Sequence, residues 1–462
     1  MPKKIRANPR KSASKNYSYR ETAFKLLKRI LHHGAYANVV LMKTLTDPCL
    51  PPETKRSINA LTYGVLRNYL FIDFALHQSA AKKKMKISPD AALAARMAVY
   101  EIFFMDKVPS YAAVDEYVKL ASRTASRPEI SFINACLRKI TETDHRKLTE
   151  KISSPAERFA VESSHPLWLV EKLIASYGNA TAGKIIAINN LPLPLYLRVN
   201  TVRAQVDEVL THLHDAGIEA RCTEVPPSCI ELAHGESFPT NEYNEGLLTA
   251  QDRSTQTVPY FLEPQPGDEI LDLCCGAGLK STHLAELLND DGMVAACDLS
   301  EKKISALRNN AGRLGLNSIR ASAADLLSRP DLGKFKKVLL DVPCSGSASL
   351  RRRPEIKLRF RPEQITRLAD LQYELLCAAA DYLLPSGTLL YSTCSLLPEE
   401  NEHVIHRFLK EHLNFHAQKL VWRPQTSLGV AHPVYLDRSE GIVILPHTIN
   451  ACGVFIAALR KD

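Results

Sequence analysis

The sequence predicts a multi-domain protein in three parts: an all-α helical front, a small α+β linker subdomain, and an α/β doubly wound domain at the back. Three observations carry that prediction. Apolar residues recur at helical spacing up to residue 145, and from Gly246 short apolar strands alternate with helical stripes. The 462 residues, 45% hydrophobic and 24% charged, are enough for two or three buried cores. A disordered polymer is thereby excluded.

Residues 1–19 carry Lys3, Lys4, Arg6, Arg10, Lys11 and Lys15 with no acid, which reads as a basic arm without packed structure, either touching phosphates or simply solvated. In residues 20–145 the stripes are Ala23, Leu26, Leu27, Ile30 and Leu31, then Ile58, Leu61, Val65 and Leu66, then residues 93–104 and 114–120, ending with Phe132, Ile133 and Leu137. Lys82, Lys83, Lys84 and Lys86 form a basic run between helices, a solvated loop or a contact for a polyanion. Residues 146–245 begin helically at 166–177 and then change period. A strand is expected at 195–199, a helix through Val206, Val209, Leu210 and Leu213 stopped by Gly217, and a strand at 230–232.

Residues 246–462 give strands at 269–273, 293–298, 319–322, 338–341 and 388–393, with crossover helices around 284–288 and 304–314. Two further strands, 442–445 and 454–457, lie close enough in sequence to pair antiparallel at one edge of the sheet.

The formal net charge of +9 suits a polyanionic partner, although a merely soluble basic protein would look the same. Eleven cysteines occur without C-x-x-C pairs or a Cys/His cluster at metal spacing, so free thiols, a reducing cytoplasm and no metal are expected. No uninterrupted apolar run approaches a membrane span, so no membrane partner is expected either. A monomer is the working expectation.

After the first strand of the last domain comes Asp272-Leu273-Cys274-Cys275-Gly276-Ala277-Gly278-Leu279-Lys280-Ser281, and Asp298 ends the next strand. Gly276 and Gly278 let the backbone approach a ligand above the strand ends, and a carboxylate beyond the second strand can accept both hydroxyls of a ribose. A nicotinamide nucleotide fits this pattern nearly as well as another adenosyl cofactor. Asp325, after the third strand, either meets an adenine amino group or caps its loop. Asp341 ends the fourth strand, where a reacting base would sit.

Two segments of the helical front, Ala60-Leu61-Thr62-Tyr63-Gly64-Val65-Leu66-Arg67 and Phe132-Ile133-Asn134-Ala135-Cys136-Leu137-Arg138, resemble the NusB-like RNA-binding module. The block from Leu271 to Ser281, with Asp341-Val342-Pro343-Cys344-Ser345-Gly346 and the stretch from Tyr391 to Asn401, resembles the Sun/Nop family of RNA cytosine-C5 methyltransferases. Together with the NusB-like front, the chain is similar to the Sun (Fmu) branch that acts on 16S rRNA. The resemblance implies a Rossmann-like class I methyltransferase domain, S-adenosyl-L-methionine as cofactor and small-subunit rRNA as partner. It implies a cofactor site of Cys274, Cys275, Gly276, Ala277, Gly278, Leu279 and Lys280 with Asp298, Asp325 and Asp341. Against the family's usual Cys-Ala-Ala-Pro-Gly-Gly-Lys, this chain keeps Cys274, Gly278 and Lys280 but has Ala277 for Pro and Leu279 for the second Gly. Cys452-Gly453-Val454-Phe455 stands where Asp-Gly-Phe-Phe is usual.

Carbon 5 of cytosine is too electron-poor to take a methyl group directly, whereas a thiolate bonded to carbon 6 makes it enamine-like. The resemblance gives Cys394 that nucleophilic role, Cys344 the release of the adduct, and Asp341, when protonated, donation to N3. Cys136, Cys222, Cys229, Cys297 and Cys377 read as inert buried thiols. Cys274 and Cys275 more naturally supply backbone than chemistry. Lys280 could pair with the cofactor carboxylate or Asp341, or face water. Pro398, Glu399 and Glu400 suit the first turn of a helix. The run Arg351-Arg352-Arg353-Pro354-Glu355-Ile356-Lys357-Leu358-Arg359-Phe360-Arg361 is suited to gripping RNA phosphates, with a solvated helix start as the alternative. Two rivals remain: a relative acting on tRNA or another rRNA site, and a non-enzymatic RNA-binding scaffold.

Overall fold

The computed structural model describes residues 18–47, 49–80, 86–106, 108–233, 236, 238–423 and 434–462. The arm up to residue 17 and Lys82, Lys83 and Lys84 lie outside them. The described chain forms two compact units, divided between Ser154 and Pro155.

The first unit is helical: α1 (Tyr19–Leu31), α2 (Ala37–Leu45), α3 (Pro52–Arg67), α4 (Tyr69–Ser79), α5 (Pro89–Phe104), α6 (Ser110–Ala121) and α7 (Arg127–Thr141). The expected stripes form its core, with Ala23, Leu26, Leu27 and Ile30 of α1 packed among Ile58, Leu61, Val65 and Leu66 of α3. Ser126 and Glu129 form a capping box that starts α7, and Glu129 also accepts the Ser88 amide ahead of α5. At Gly64 a side chain has no room, since a Cβ would lie 1.9 Å from Tyr100 Cζ on α5. Glu101, fully buried on α5, accepts hydrogen bonds from Arg20 (2.8 Å), Tyr19 (3.0 Å) and Tyr117 (2.8 Å), fastening α1 and α6 to α5.

The second unit opens with α8 (Pro155–Glu162) and α9 (Leu167–Asn189), the latter kinked where Gly178 adopts φ 73°. A small antiparallel sheet follows: β1 (Leu195–Val199), α10 (Val206–Asp215), β2 (Ala220–Cys222), β3 (Cys229–Leu232), α11 (Thr240–Asn244) and β4 (Leu248–Ala250), in the order β2-β3-β1-β4. β4 lies past residue 245 yet pairs with β1, so the small sheet runs on into the segment expected to begin the last domain. Cys222, on edge strand β2, is exposed, in contrast to the buried thiol expected there; Cys136, Cys229 and Cys297 are buried and Cys377 is half-buried.

After α12 (Arg253–Thr257) come β5 (Glu269–Leu273), α13 (Leu279–Leu287), β6 (Met293–Asp298), α14 (Glu301–Leu314), β7 (Ile319–Ala323), β8 (Phe335–Asp341), α15 (Ile356–Arg359), α16 (Pro362–Ala380), β9 (Leu383–Thr393), α17 (Glu402–Glu411), β10 (Phe415–Gln418), β11 (Leu436–Arg438), β12 (Gly441–Ile444) and β13 (Val454–Lys461). The sheet order is β11-β12-β13-β9-β8-β5-β6-β7, with β10 also on β13. From β9 to β7 neighbours are parallel, and this half is the doubly wound core. β12 and β13 do pair antiparallel, Val443 opposite Phe455, but β13 is not at an edge: its other side pairs with β9. Its run Val454–Leu459 is buried throughout, which suits an interior strand. Among the described residues no helix is long and apolar enough to cross a membrane.

Candidate active site

Parallel pairing decides where the two thiols of interest go. β8 and β9 run side by side with Asp341 opposite Ser392, so both chains leave the sheet at the same end. Cys344 lies three residues beyond Asp341 and Cys394 two beyond Ser392, and their Sγ atoms are 3.0 Å apart. Both are half-buried free thiols, well outside the ~2.05 Å of a disulfide bond. The Cys394 amide also donates to Cys344 Sγ at 3.3 Å.

The pair is electrically asymmetric. The hydrogen bond from Cys344 pulls the Cys394 thiol down to about 7, assisted by Arg352 and Arg353 and opposed by burial and Asp341. The same bond, burial, and the charges of Cys394, Glu400 and Asp341 hold the Cys344 thiol well above its usual range. Of the two, Cys394 is therefore the more readily ionised and Cys344 the one that keeps its proton.

Beside them Asp341 accepts from Lys280 Nζ at 2.5 Å and from Ser392 Oγ at 2.7 Å. Of the alternatives for Lys280, pairing with Asp341 is the one found. The loop from β5 to α13 turns through Cys274 (φ 57°), Gly276 (φ 61°) and Gly278 (φ 77°). Gly278 is required twice, for its φ and because a Cβ would lie 2.0 Å from Leu307 Cδ1 on α14. Asp298 fixes the loop by accepting the Gly276 amide at 2.9 Å, as well as the Ser300 amide and Lys303. Burial, with Asp298, Asp341 and Asp272 nearby, pushes the Cys274 thiol up to about 12, and burial drives Cys275 further up, so neither competes as a nucleophile. Asp272, buried behind the loop, is pushed up to about 7 by desolvation, against a 2.5 Å hydrogen bond from Ser281. Asp325 is exposed, and its Oδ1 caps a short 3-10 turn through the Leu327 amide. Among the described residues no group of three or more His, Cys, Asp and Glu is placed to hold a metal ion.

The basic run after Cys344 is only partly available to RNA. Arg351 and Lys357 are buried; Arg351 donates to the carbonyls of Leu191 and Pro192 and to Asn450, and Lys357 to Asn190. They bind the segment after α9 to the loop and do not grip phosphates. Two residues of consequence escape the sequence. Arg198, fully buried on β1, donates to Leu279 O (2.7 Å), Thr282 (2.9 Å) and both oxygens of Glu286, so the small sheet holds the start of α13. Glu400 does not meet a helix dipole in solvent; it is fully buried in a 3-10 turn, Pro398–Glu400, beneath the two thiols. An arginine at an inward strand position was the available signal for the first; for the second there was none.

Known proteins match this arrangement along the whole chain. The 16S rRNA methyltransferase RsmB/F family model matches residues 259–460, the NusB family model 18–142, and an RsmF/B-like ferredoxin-like domain 165–238. A protein of Bacillus subtilis (strain 168) named "Probable ribosomal RNA small subunit methyltransferase B" is 32% identical over 97% of this chain and 99% of its own. The chain belongs to the RsmB/F family. Ribosomal RNA small subunit methyltransferase B of Citrobacter koseri is likewise 32% identical, over 97% of this chain and 100% of its own. In structure, PH0851 matches with a TM-score of 0.77 and 26% identity over 95% of this chain and 99% of its own. A methyltransferase homologue from Pyrococcus horikoshii gives a TM-score of 0.57 and 27% identity over 67% of this chain and 100% of its own. The front unit is thus a NusB domain, the small sheet the ferredoxin-like subdomain, and the mixed sheet the methyltransferase domain of an RsmB/F enzyme.

Proposed function

We propose that this enzyme methylates carbon 5 of a cytosine in 16S rRNA, using S-adenosyl-L-methionine and a transient bond between Cys394 and carbon 6. The observation that carries the reading is the 3.0 Å thiol pair, in which Cys394 is the more readily ionised member, at the ligand end of the sheet beside Asp341.

The chain offers the cofactor a fitting cradle. The left-handed glycines of the loop from Cys274 to Lys280 turn the backbone between β5 and α13, Asp298 ends the adjacent strand, and Asp325 follows the next. These residues, with Asp341, would hold the cofactor, which supplies an electrophilic methyl group. Cys394 attacks carbon 6 as a thiolate, and Asp341 passes to N3 a proton taken from the Lys280 ammonium it is paired with, recovering it when the adduct breaks down. Lys280 and Ser392 hold Asp341 in place for this. Once Cys394 is bonded to carbon its charge no longer opposes ionisation of Cys344, which removes the carbon-5 proton so that the sulfur–carbon bond breaks and the methylated base leaves. The names of the bacterial relatives support rRNA as substrate; the cytoplasm would then be its place of action, and the NusB domain would add an RNA-binding module.

Two substitutions test this. Cys394→Ala should abolish methyl transfer from labelled cofactor to 16S rRNA, and full activity would remove the mechanism. Cys344→Ala should accumulate a protein–RNA adduct that survives a denaturing gel; absence of the adduct would take the release step from Cys344.

A further inference from the structure

We propose that Glu400 is a positioning residue for methyl transfer: its carboxylate clamps the loop bearing Cys344 to the loop bearing Cys394 and so sets the spacing of the two thiols. The proposal rests on the thiol roles given above. Its evidence is a closed set of hydrogen bonds. Oε1 accepts from the Ser345 amide at 2.7 Å and from Gln372 Nε2 at 3.0 Å; Oε2 accepts from the hydroxyls of Ser345 and Ser395, each at 2.5 Å. Ser345 directly follows Cys344 and Ser395 directly follows Cys394, so one side chain grips the neighbours of both sulfurs.

The carboxylate is itself held. Tyr391 donates to the Glu400 backbone carbonyl at 2.7 Å, and Gln372 on α16, besides donating to Glu400, donates to Pro343 O at 2.9 Å, just before Cys344. Further bonds cross between the loops on the same side: Ala348 N to Cys394 O at 3.0 Å, and Leu396 N to Ser347 Oγ at 2.9 Å. Four donors meet the two oxygens of this carboxyl group, and none of these four donors carries a charge. Burying a charge among neutral groups is costly, and an apolar side chain would fill the volume without that cost. What the carboxylate adds is a bridge with two oxygens facing two loops, which no apolar side chain provides. Reactive groups held this way keep productive geometry through a supporting shell.

The test compares Glu400→Ala, Glu400→Gln and Ser395→Ala, each checked for native melting. The first readout is the rate at which diamide joins Cys344 to Cys394: the two thiols give up two hydrogens, diamide becomes the hydrazine, and an S–S bond forms, followed by mass and peptide mapping. This step needs neither RNA nor cofactor, so it reports on spacing even if the methyl-transfer roles are wrong. The second readout is kcat against KM for S-adenosylmethionine. Glu400→Ala should slow cross-linking and lower kcat by about a hundredfold, the scale of a ~1 Å misplacement, with KM unchanged. Glu400→Gln should restore cross-linking and most of kcat, because its amide oxygen can face the two N–H donors while its NH2 faces hydroxyls able to rotate and accept. Ser395→Ala removes the tie to the Cys394 side, together with that hydroxyl's contacts to Ser345 Oγ, Ser347 Oγ and the Leu397 amide, and should act in the same direction as Glu400→Ala. Native-like Glu400→Ala or Ser395→Ala protein that cross-links and turns over at the parent rate would overturn the proposal. So would a parallel loss in KM and kcat that glutamine fails to rescue.

Discussion

Glu101 in the helical unit and Glu400 in the sheet unit are both fully buried, yet they are surrounded differently. Glu101 faces the Arg20 guanidinium and two tyrosine hydroxyls, so its charge is cancelled where it stands. The tyrosines remain neutral donors, Tyr19 being pushed up to about 12 by burial and by Glu101. Around Glu400 the four donors are neutral, and its charge reaches instead to Cys344, which it helps to keep protonated. The same side chain at the same depth acts as a strut in one unit and faces reactive groups in the other. The donors decide which.

The largest effect that would break this contrast is on stability. Removing Arg20 leaves Glu101 buried without a counter-charge, and Arg20→Ala should destabilise the helical unit by about 3–5 kcal/mol, read from urea unfolding. A loss below about 1 kcal/mol would mean that tyrosine hydroxyls alone can satisfy Glu101, as neutral donors satisfy Glu400, and the distinction would collapse.

The reactive side of the contrast is sharpened by pH. With the Cys394 thiol at about 7, alkylation of Cys394 by iodoacetamide should be half-maximal near that pH. Below it the rate should fall about tenfold per unit as the thiolate takes up its proton, and above it the rate should level off. Cys344→Ala removes the hydrogen bond chiefly responsible, so the midpoint should rise towards the ~8.5 of an ordinary thiol. A parent midpoint already near that value would contradict the assignment of the thiolate. Methyl transfer should decline over the same acid limb.

The strands and the loop from Cys274 to Lys280 were legible because a buried parallel strand is a short apolar run, and glycines with an acid beyond them mark the ligand end. The thiol pair was legible through its flanking residues. What sequence could not convey is where polar side chains turn when their partners are distant in the chain. Arg351 and Lys357 read as a phosphate grip, but carbonyls and amides some 160 residues away at Asn190, Leu191 and Pro192 take them inward. Glu400 read as a helix-start acid until Ser345, 55 residues earlier, supplied two donors. Strand β13 looked like an edge because its partner β9 precedes it by some sixty residues, whereas β12 is adjacent. α16 carries a weak helical stripe, because Ile365 and Gln372 are the only buried residues in its first eleven positions.

Glycine separates the two units on a smaller scale. Gly64 has ordinary helical backbone but no space, so Gly64→Ala must displace Tyr100 from its stack on Phe104, at a cost of about 1–3 kcal/mol. Gly276 is the reverse case: a Cβ placed there would meet nothing within 4 Å, and only its φ of 61° penalises a side chain. Gly276→Ala should therefore cost about 1 kcal/mol, the smaller effect of the two. A background change tells the two mechanisms apart. With Tyr100→Leu in place, Gly64→Ala should lose its penalty and gain up to about 1 kcal/mol from helix propensity, because the obstacle is a neighbouring ring. Trimming the surroundings of Gly276 should change nothing, because the obstacle is the residue's own backbone. Thermal melts of the four proteins decide it, and a Gly64 penalty that persists without the tyrosine ring would place the strain in α3 itself.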